Sequence, residues 1–402
     1  MTPRPSPDPD IGDRIRARRL LRGWSMRYAA SRAGISHATW SRIERGRQAA
    51  DNRFMLADIA AALECSPADL AGMPVPATDR AAAAALAGVQ GIRRALVDID
   101  LTEPGTTDAS PLPSLAAQLE LAGARLDACD YASVTRLLPR LLRDLHTETA
   151  GPDRATALRL LCDAAFVASS VLRQVGHPAD AWLGAERCQQ AADATEDPVL
   201  RGYAAYSMAS AANACGSFQR GLTLAERAAD DLRPHLGRPG GAEMLGTLHL
   251  ICAYASRGRD RLDDSRDWLA EAEVLARRTG ETTTLGMFFG PTNVNIWRIS
   301  IEVDEGDPAR AAEIARRVTP AAIPAGLRQV YYYADTARAL ARVGGQDREA
   351  IRFLLTAERL APQHVHTSSD AAESARTLLE RSNNRAAGAD LRGLCERMRI
   401  AV

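Results

Sequence analysis

From Ser114 onward the chain repeats one local pattern, a Gly or Asp turn followed by an Ala-rich amphipathic helix. The turns read Gly176-His-Pro-Ala-Asp-Ala, Gly216-Ser-Phe-Gln-Arg-Gly, Gly258-Arg-Asp-Arg-Leu, Gly306-Asp-Pro-Ala-Arg-Ala and Gly344-Gly-Gln-Asp-Arg-Glu-Ala. They recur at roughly 40 to 48 residues, a spacing long enough for one helical pair. A single pair of this kind cannot bury its apolar face, so successive pairs must stack on one another. No long stretch alternates apolar and polar residues with period two, the strand signature. The chain therefore reads as all-α, with a solenoid of about five to six helical pairs over 114–402 and a capping helix or two at its end.

A different pattern occupies Trp24 to Gly46, WSMRYAASRAGISHATWSRIERG. It predicts two short helices joined by a tight turn. Ser25 is an N-cap residue, and Trp24 before it is placed to staple onto Ala29. A helix over Met26 to about Ala33 ends at Gly34, because a C′ position favours a residue that tolerates positive φ. Ile35 and Ser36 repeat the device, and a second helix runs from His37 to about Arg45. Trp40 and Ile43, three apart, share an inward stripe. His37, Ala38, Ser41, Arg42 and Arg45 fall on the other side. A helix with hydrogen-bonding tips, one small residue and guanidinium groups on its outer face fits the major groove of B-DNA, where base edges present a readable code.

The run G-I-S-H-A-T-W-S-R-I-E-R-G resembles the recognition segment of the XRE (Cro/repressor-type) helix-turn-helix family. The resemblance extends over the flanking helices, predicted at about Ile11–Arg22, Asn52–Leu63 and Pro67–Leu70, so that it implies a five-helix λ-repressor-like DNA-binding domain over 10–72. It places base-reading side chains at His37, Ala38, Ser41 and Arg42, with Ser36, Thr39, Arg45, Arg47 and Arg53 also at the DNA. The family usually carries Gln at the start of the first of the two helices, touching a phosphate. This chain has Met26 there, which leaves Arg27 to take that contact. In the first flanking helix Ile11, Ile15 and Leu20 or Leu21 are expected to face inward, and Arg14, Arg16, Arg18, Arg19 and Arg22 outward.

Composition supports this division. Formal net charge is zero, yet Met1 to Val75 holds more Arg than Asp plus Glu, so the basic excess sits with the helix-turn-helix. The chain has no lysine and abundant Ala, the composition of a GC-rich genome, and this suggests an actinobacterial source. Pro at positions 3, 5, 7 and 9 predicts a disordered tail over 1–9. Residues 73–113, with Pro74 and Pro76 at the start and a Pro-, Gly- and Thr-rich stretch at the end, read as a linker carrying a connecting helix at about Thr78–Val97. Seven cysteines without a C-x-x-C pair read as buried, reduced thiols of a cytoplasmic protein. No signal peptide is expected at the polar, Pro-rich N-terminus, and no window is expected to span a bilayer.

The repeat pattern resembles tetratricopeptide repeats, at a longer period than their usual one of about 34. The run Phe289-Gly-Pro-Thr-Asn-Val resembles one found in actinobacterial XRE regulators that carry such repeats. A helix-turn-helix head joined to a tetratricopeptide-like array resembles the RRNPP group of peptide-responsive regulators. That implies a homodimer on an inverted-repeat operator, with an effector in the groove that alters the spacing of the heads. In such an array the inner helix of each pair lines a concave wall. Candidate effector-binding residues are therefore the polar and aromatic side chains out of place on inner helices. They are Tyr203, Tyr206, Asn213, His249, Tyr254, Phe289, Asn293, Asn295, Trp297, Arg298, Tyr332 and Asp335. Together they suggest a channel for a short peptide or small organic molecule. Each alone also fits a packing role, and Asn293 equally fits a tie between adjacent repeats.

Enzymatic motifs are missing: there is no phosphate-binding Gly loop, no H-E-x-x-H and no G-x-S-x-G. His364 and His366 have no cysteine nearby, so neither a metal nor a cofactor is expected. The sequence thus reads as a non-enzymatic transcriptional regulator. A DNA-tethered protein adaptor and a ligand-independent plasmid or phage repressor remain as alternatives.

Overall fold

The computed structural model describes residues 11–48, 50, 52–71, 80–103, 105, 108–305, 307–381, 389–398 and 400. The sequence-predicted tail over 1–9 and the Pro74–Pro76 segment lie outside them. The chain divides into two compact units, Met1–Val75 and Pro76–Val402.

The first unit holds α1 (Ile11–Leu21), α2 (Met26–Arg32), α3 (His37–Glu44), α4 (Arg53–Ala62) and α5 (Pro67–Ala71). Their termini follow local capping chemistry. The Ser25 side chain accepts from the Tyr28 amide, the Ser36 side chain from that of Thr39, and Asn52 from those of Phe54 and Met55. Ser66 and Asp69 cap each other reciprocally at the start of α5. Gly34 adopts φ +68, the left-handed conformation that the turn between α2 and α3 demands. The core gathers Ile15, Ala29, Ala30, Trp40, Ile43, Ile59, Leu63 and Leu70.

One side-chain expectation changes here. Leu20 and Leu21 are not inward: they are 56% and 84% exposed, because Ile15 and the buried stem of Arg19 take the inner face of α1. Trp24 packs against the core that holds Ala29 and also stacks edge-on against Tyr28 at 5.1 Å.

The second unit begins with α6 (Arg80–Asp98). This helix was placed in the linker on sequence grounds, but it packs into the array. Val89, Ile92, Ala95 and Leu96 are buried in the same core as the helices that follow. Arg93 makes a two-pronged bond to Asp180 at 2.8 and 2.6 Å. Six helical pairs come next: α7 (Leu112–Asp127) with α8 (Tyr131–Glu148), α9 (Arg154–Gln174) with α10 (Pro178–Thr195), α11 (Pro198–Ala214) with α12 (Phe218–Leu232), α13 (Gly241–Arg257) with α14 (Leu262–Thr279), α15 (Pro291–Glu305) with α16 (Pro308–Ala315), and α17 (Gly326–Val343) with α18 (Asp347–Leu360). Then α19 (Pro362–Thr367), α20 (Ser369–Arg381) and α21 (Ala389–Arg397) cover the last pair. The all-α class expected from sequence is the observed one. The only extended pairing among the described residues is a bridge between Thr282 and Phe289.

From α7 to α17 each odd-numbered helix packs on the next odd-numbered one, whereas the even-numbered helices from α10 on touch mainly their own partner and the helix that follows; α8 packs most extensively on α6. The odd helices are thus the inner layer of a curved stack. α9 is long and apolar enough to cross a membrane by length and composition, which the sequence reading did not anticipate. Its apolar surface is spent instead on α8, α10 and α11: 67% of that span is buried inside the array. The seven cysteines are free thiols, five of them buried.

Candidate nucleic-acid interface and concave channel

The front of α3 is held from behind by charge as well as by apolar contact. Trp40 and Ile43 are buried, and so is Glu44. The Arg19 guanidinium reaches Glu44 from α1 with two bonds, at 2.5 and 2.9 Å, and donates a third to the Trp24 carbonyl at 2.7 Å. The Trp40 indole N–H donates to Glu44 at 2.6 Å. Arg19 was expected on the outer face; the buried carboxylate draws it in, since a lone buried charge is costly. Arg14 likewise turns inward, donating to the Leu70 carbonyl at 2.7 Å.

His37, Ala38, Arg42, Arg45 and Arg47 are exposed, and Thr39 and Ser41 are half-buried beside them. Arg42 is held in place: its Nε donates to Gln48 at 2.9 Å and its Nη2 lies 3.4 Å from the Thr39 hydroxyl. Thr39 in turn pairs with the Ser36 hydroxyl at 2.9 Å. The arginines of this unit sort into two sets. Arg18, Arg22 and Arg32 have carboxylates of Asp69 or Glu64 within 3.9 Å. Arg27, Arg42, Arg45 and Arg47 have no ion-pair partner among the described residues. An exposed helix front with uncompensated guanidinium groups is the electrostatic requirement for phosphate and base-edge contact. The side chain of Arg53 lies outside the described residues.

In the second unit the inner helices bring aromatic groups together. Phe166 of α9 stacks on Tyr203 of α11 at 4.1 Å and lies 6.3 Å from Tyr206. The N-terminal end of α17 reaches the same place from across the stack. Arg328 lies 3.3 Å from the Tyr206 hydroxyl, 5.3 Å from the Trp297 ring and 5.9 Å from the Tyr331 ring. Gln174 at the end of α9 donates to the Tyr331 hydroxyl at 3.4 Å. Tyr254 meets Trp297 edge-on at 5.9 Å. Gly326 permits the approach, since a methyl there would lie 2.8 Å from the Asp127 carbonyl at the end of α7. Burial pushes the Asp127 carboxyl up to about 6 against the pull of Arg328, and the Asp163 carboxyl up to about 7 against that of Arg159.

The sequence model of a helix-turn-helix domain family matches residues 10–72. The first unit is a helix-turn-helix domain. No curated protein matches the chain. Among solved structures, PlcR of Bacillus thuringiensis, crystallised with the peptide PapR7 and DNA, is similar at 13% identity and a TM-score of 0.31. That match covers 67% of this chain and 95% of the other.

Of the twelve residues expected on the concave wall, Tyr203, Tyr206, Tyr254 and Trp297 meet there. The other eight make contacts of their own. His249 is wedged against Trp268 of α14 at 5.1 Å, and burial lowers its pKa to about 4. Asn213 lies over Gly221 of α12, where a methyl would approach its Oδ1 to 2.2 Å. Phe289 fills the notch left by Gly246 and is fully buried. Asn293 donates to the Phe288 carbonyl and so ties down the loop before α15. The Thr292 amide donates to the Glu281 carboxylate at 2.8 Å. Arg298 bridges to Glu273 of α14 at 3.0 Å and lies 3.5 Å from Asn295. Tyr332 donates to the Ala315 carbonyl at 3.1 Å, and Asp335 is buried 4.0 Å from Arg338. The sequence reading missed Asp127, Asp163, Phe166, Gln174 and Arg328. A signal existed for α9: Asp163, Phe166, Ser170 and Gln174 interrupt an apolar run at helical spacing.

Proposed function

We propose that this chain is a sequence-specific DNA-binding transcriptional regulator, acting in the cytoplasm, whose helical array senses a peptide or small organic effector. The front of α3 carries this reading: exposed His37 and Ala38, a half-buried Ser41 and a tethered Arg42 stand on a helix fixed from behind by Arg19, Glu44 and Trp40. Bidentate arginine contacts to guanine edges are the commonest specific contact in the major groove, and pre-set geometry favours them. One such head reads a half-site, so the active form is a homodimer on an inverted repeat. The effector occupies the aromatic channel around Tyr206, Trp297 and Arg328. It shifts operator affinity only by the difference in its affinity for two states of the array. No catalytic step and no cofactor enter this reading.

The test is genomic footprinting of the purified full chain, with and without extract from its own culture supernatant. Protection of a small set of inverted repeats, altered by extract, supports the regulator. Protection that ignores extract removes the effector. A protein partner that co-purifies while small molecules leave the melting temperature unchanged replaces the sensor with an adaptor.

A further inference from the structure

The partly open stripe of α9 contains a group that the aromatic patch does not use. Asp163, Phe166 and Ser170 are partly open, whereas Cys162, Ala164, Ala165 and Val167 between them are buried. Asp163 is nonetheless enclosed. Its Oδ1 is inaccessible and meets no hydrogen-bond donor among the described residues. Phe166, one turn on, is stacked on Tyr203, and the Asp163 charge bears on the Tyr203 hydroxyl. Arg159, one turn earlier, directs its guanidinium to Asp197 at 3.5 Å and is 58% exposed. The remaining titratable groups that bear on this place are Asp197, Tyr203, Tyr206 and the thiols of Cys162 and Cys188, and none of them brings a positive charge.

A carboxylate held without a donor, next to stacked rings, is the complement of an organic cation. An ammonium group offers only donors. Its bond to a carboxylate is charge-assisted, and ring faces attract it further. Leaving the acceptor unmet costs free energy that such a ligand recovers. We propose that Asp163, with Phe166 and Tyr203, forms a subsite of the channel that takes the protonated amine of an organic ligand. Binding there stands by itself. Only its consequence for DNA rests on the effector reading above.

The probe is 2-phenylethylammonium, with 2-phenylethanol as its uncharged counterpart, titrated calorimetrically into the full chain. The ammonium compound is expected to bind at least about tenfold more tightly than the alcohol. Asp163→Asn keeps the shape and removes the charge, and it abolishes that preference. Equal binding of the two probes, or an unchanged preference in Asp163→Asn, overturns the subsite. Should Asp163→Asn fail to fold, Arg159→Gln decides: loss of the competing guanidinium tightens ammonium binding, and unchanged or weaker binding overturns the proposal. Operator binding by the wild-type chain, with and without culture extract, is measured separately. Amine preference without any effect of extract removes the effector reading and leaves the subsite. Extract sensitivity without amine preference removes the subsite alone.

Discussion

The helix-turn-helix domain and the middle of the helical array bury polar groups in opposite ways. In the domain, the buried Glu44 carboxylate receives three donors, two from Arg19 and one from Trp40. In α9, α11 and α13, Asp163 Oδ1, both amide atoms of Asn213 and both ring nitrogens of His249 meet no partner among the described residues. A satisfied network fixes one geometry, which a reader of base edges needs. An unsatisfied one leaves interior groups that a ligand or a rearrangement can engage. The C-terminal pairs resemble the domain in this respect, with Glu358 held by Arg397 at 2.6 and 2.7 Å. Among the described residues, unmet buried atoms also occur towards both ends of the array, at Tyr131 and Asp144 of α8 and Thr336 of α17, so the contrast is one of degree.

The largest expected effect tests the satisfied side. Glu44→Leu and Arg19→Met should each cost about 3–5 kcal/mol, because either leaves a buried charge uncompensated. The double substitution should cost less than either single one. Denaturant unfolding of the full chain, followed on the first unit's transition, measures this; additive losses would break the comparison. The unsatisfied side predicts the reverse. Asn213→Leu removes an amide that has no partner, so stability should stay within about 1 kcal/mol of wild type or rise. A loss as large as that of Glu44→Leu would show that Asn213 is satisfied after all.

On the DNA side, His37→Ala and Arg42→Ala should each weaken specific binding by about 1–3 kcal/mol per base contact, read by competition against scrambled operator. Gln48→Ala should cost less, about 0.5–1.5 kcal/mol, since it loosens only the tether on Arg42. Equal losses for Gln48 and Arg42 would recast Gln48 as a direct contact.

How much was visible beforehand follows the same divide. Ser25, Ser36, Trp40 and Gly34 act through neighbours within a few residues, and their roles were legible. The partner of Glu44 was not, because Arg19 is one of four arginines in α1 and only the folded contact selects it. In the array, turns and helix periods were legible because each is local. The contacts of Arg328 with Tyr206 and of Gln174 with Tyr331 span 122 and 157 residues, and they depend on how far the stack curves. Asn213 and His249 looked like wall residues, but each faces its own pair's outer helix, which helix phase alone distinguishes.

The smallest effects concern pH. The folded-state pKa of Asp163 is raised from 3.8 to about 7, so its contribution is present at low pH and is lost as pH rises between those values. That of His249 is lowered from 6.5 to about 4, so stability is lost as pH falls through that window. The two windows overlap with opposite slopes, so the contributions largely offset each other in the wild type. Asp163→Asn should leave melting temperature rising with pH across that window, and His249→Leu should leave it falling. Unchanged slopes would show that these groups are solvated in solution.

The most direct measurement is genomic footprinting of wild-type chain beside Arg42→Ala at two salt concentrations. If the front of α3 reads sequence, the wild type protects a few inverted repeats. The variant then loses those sites but keeps weak, salt-sensitive binding elsewhere. Identical protected sites at equal affinity in both proteins would contradict the account.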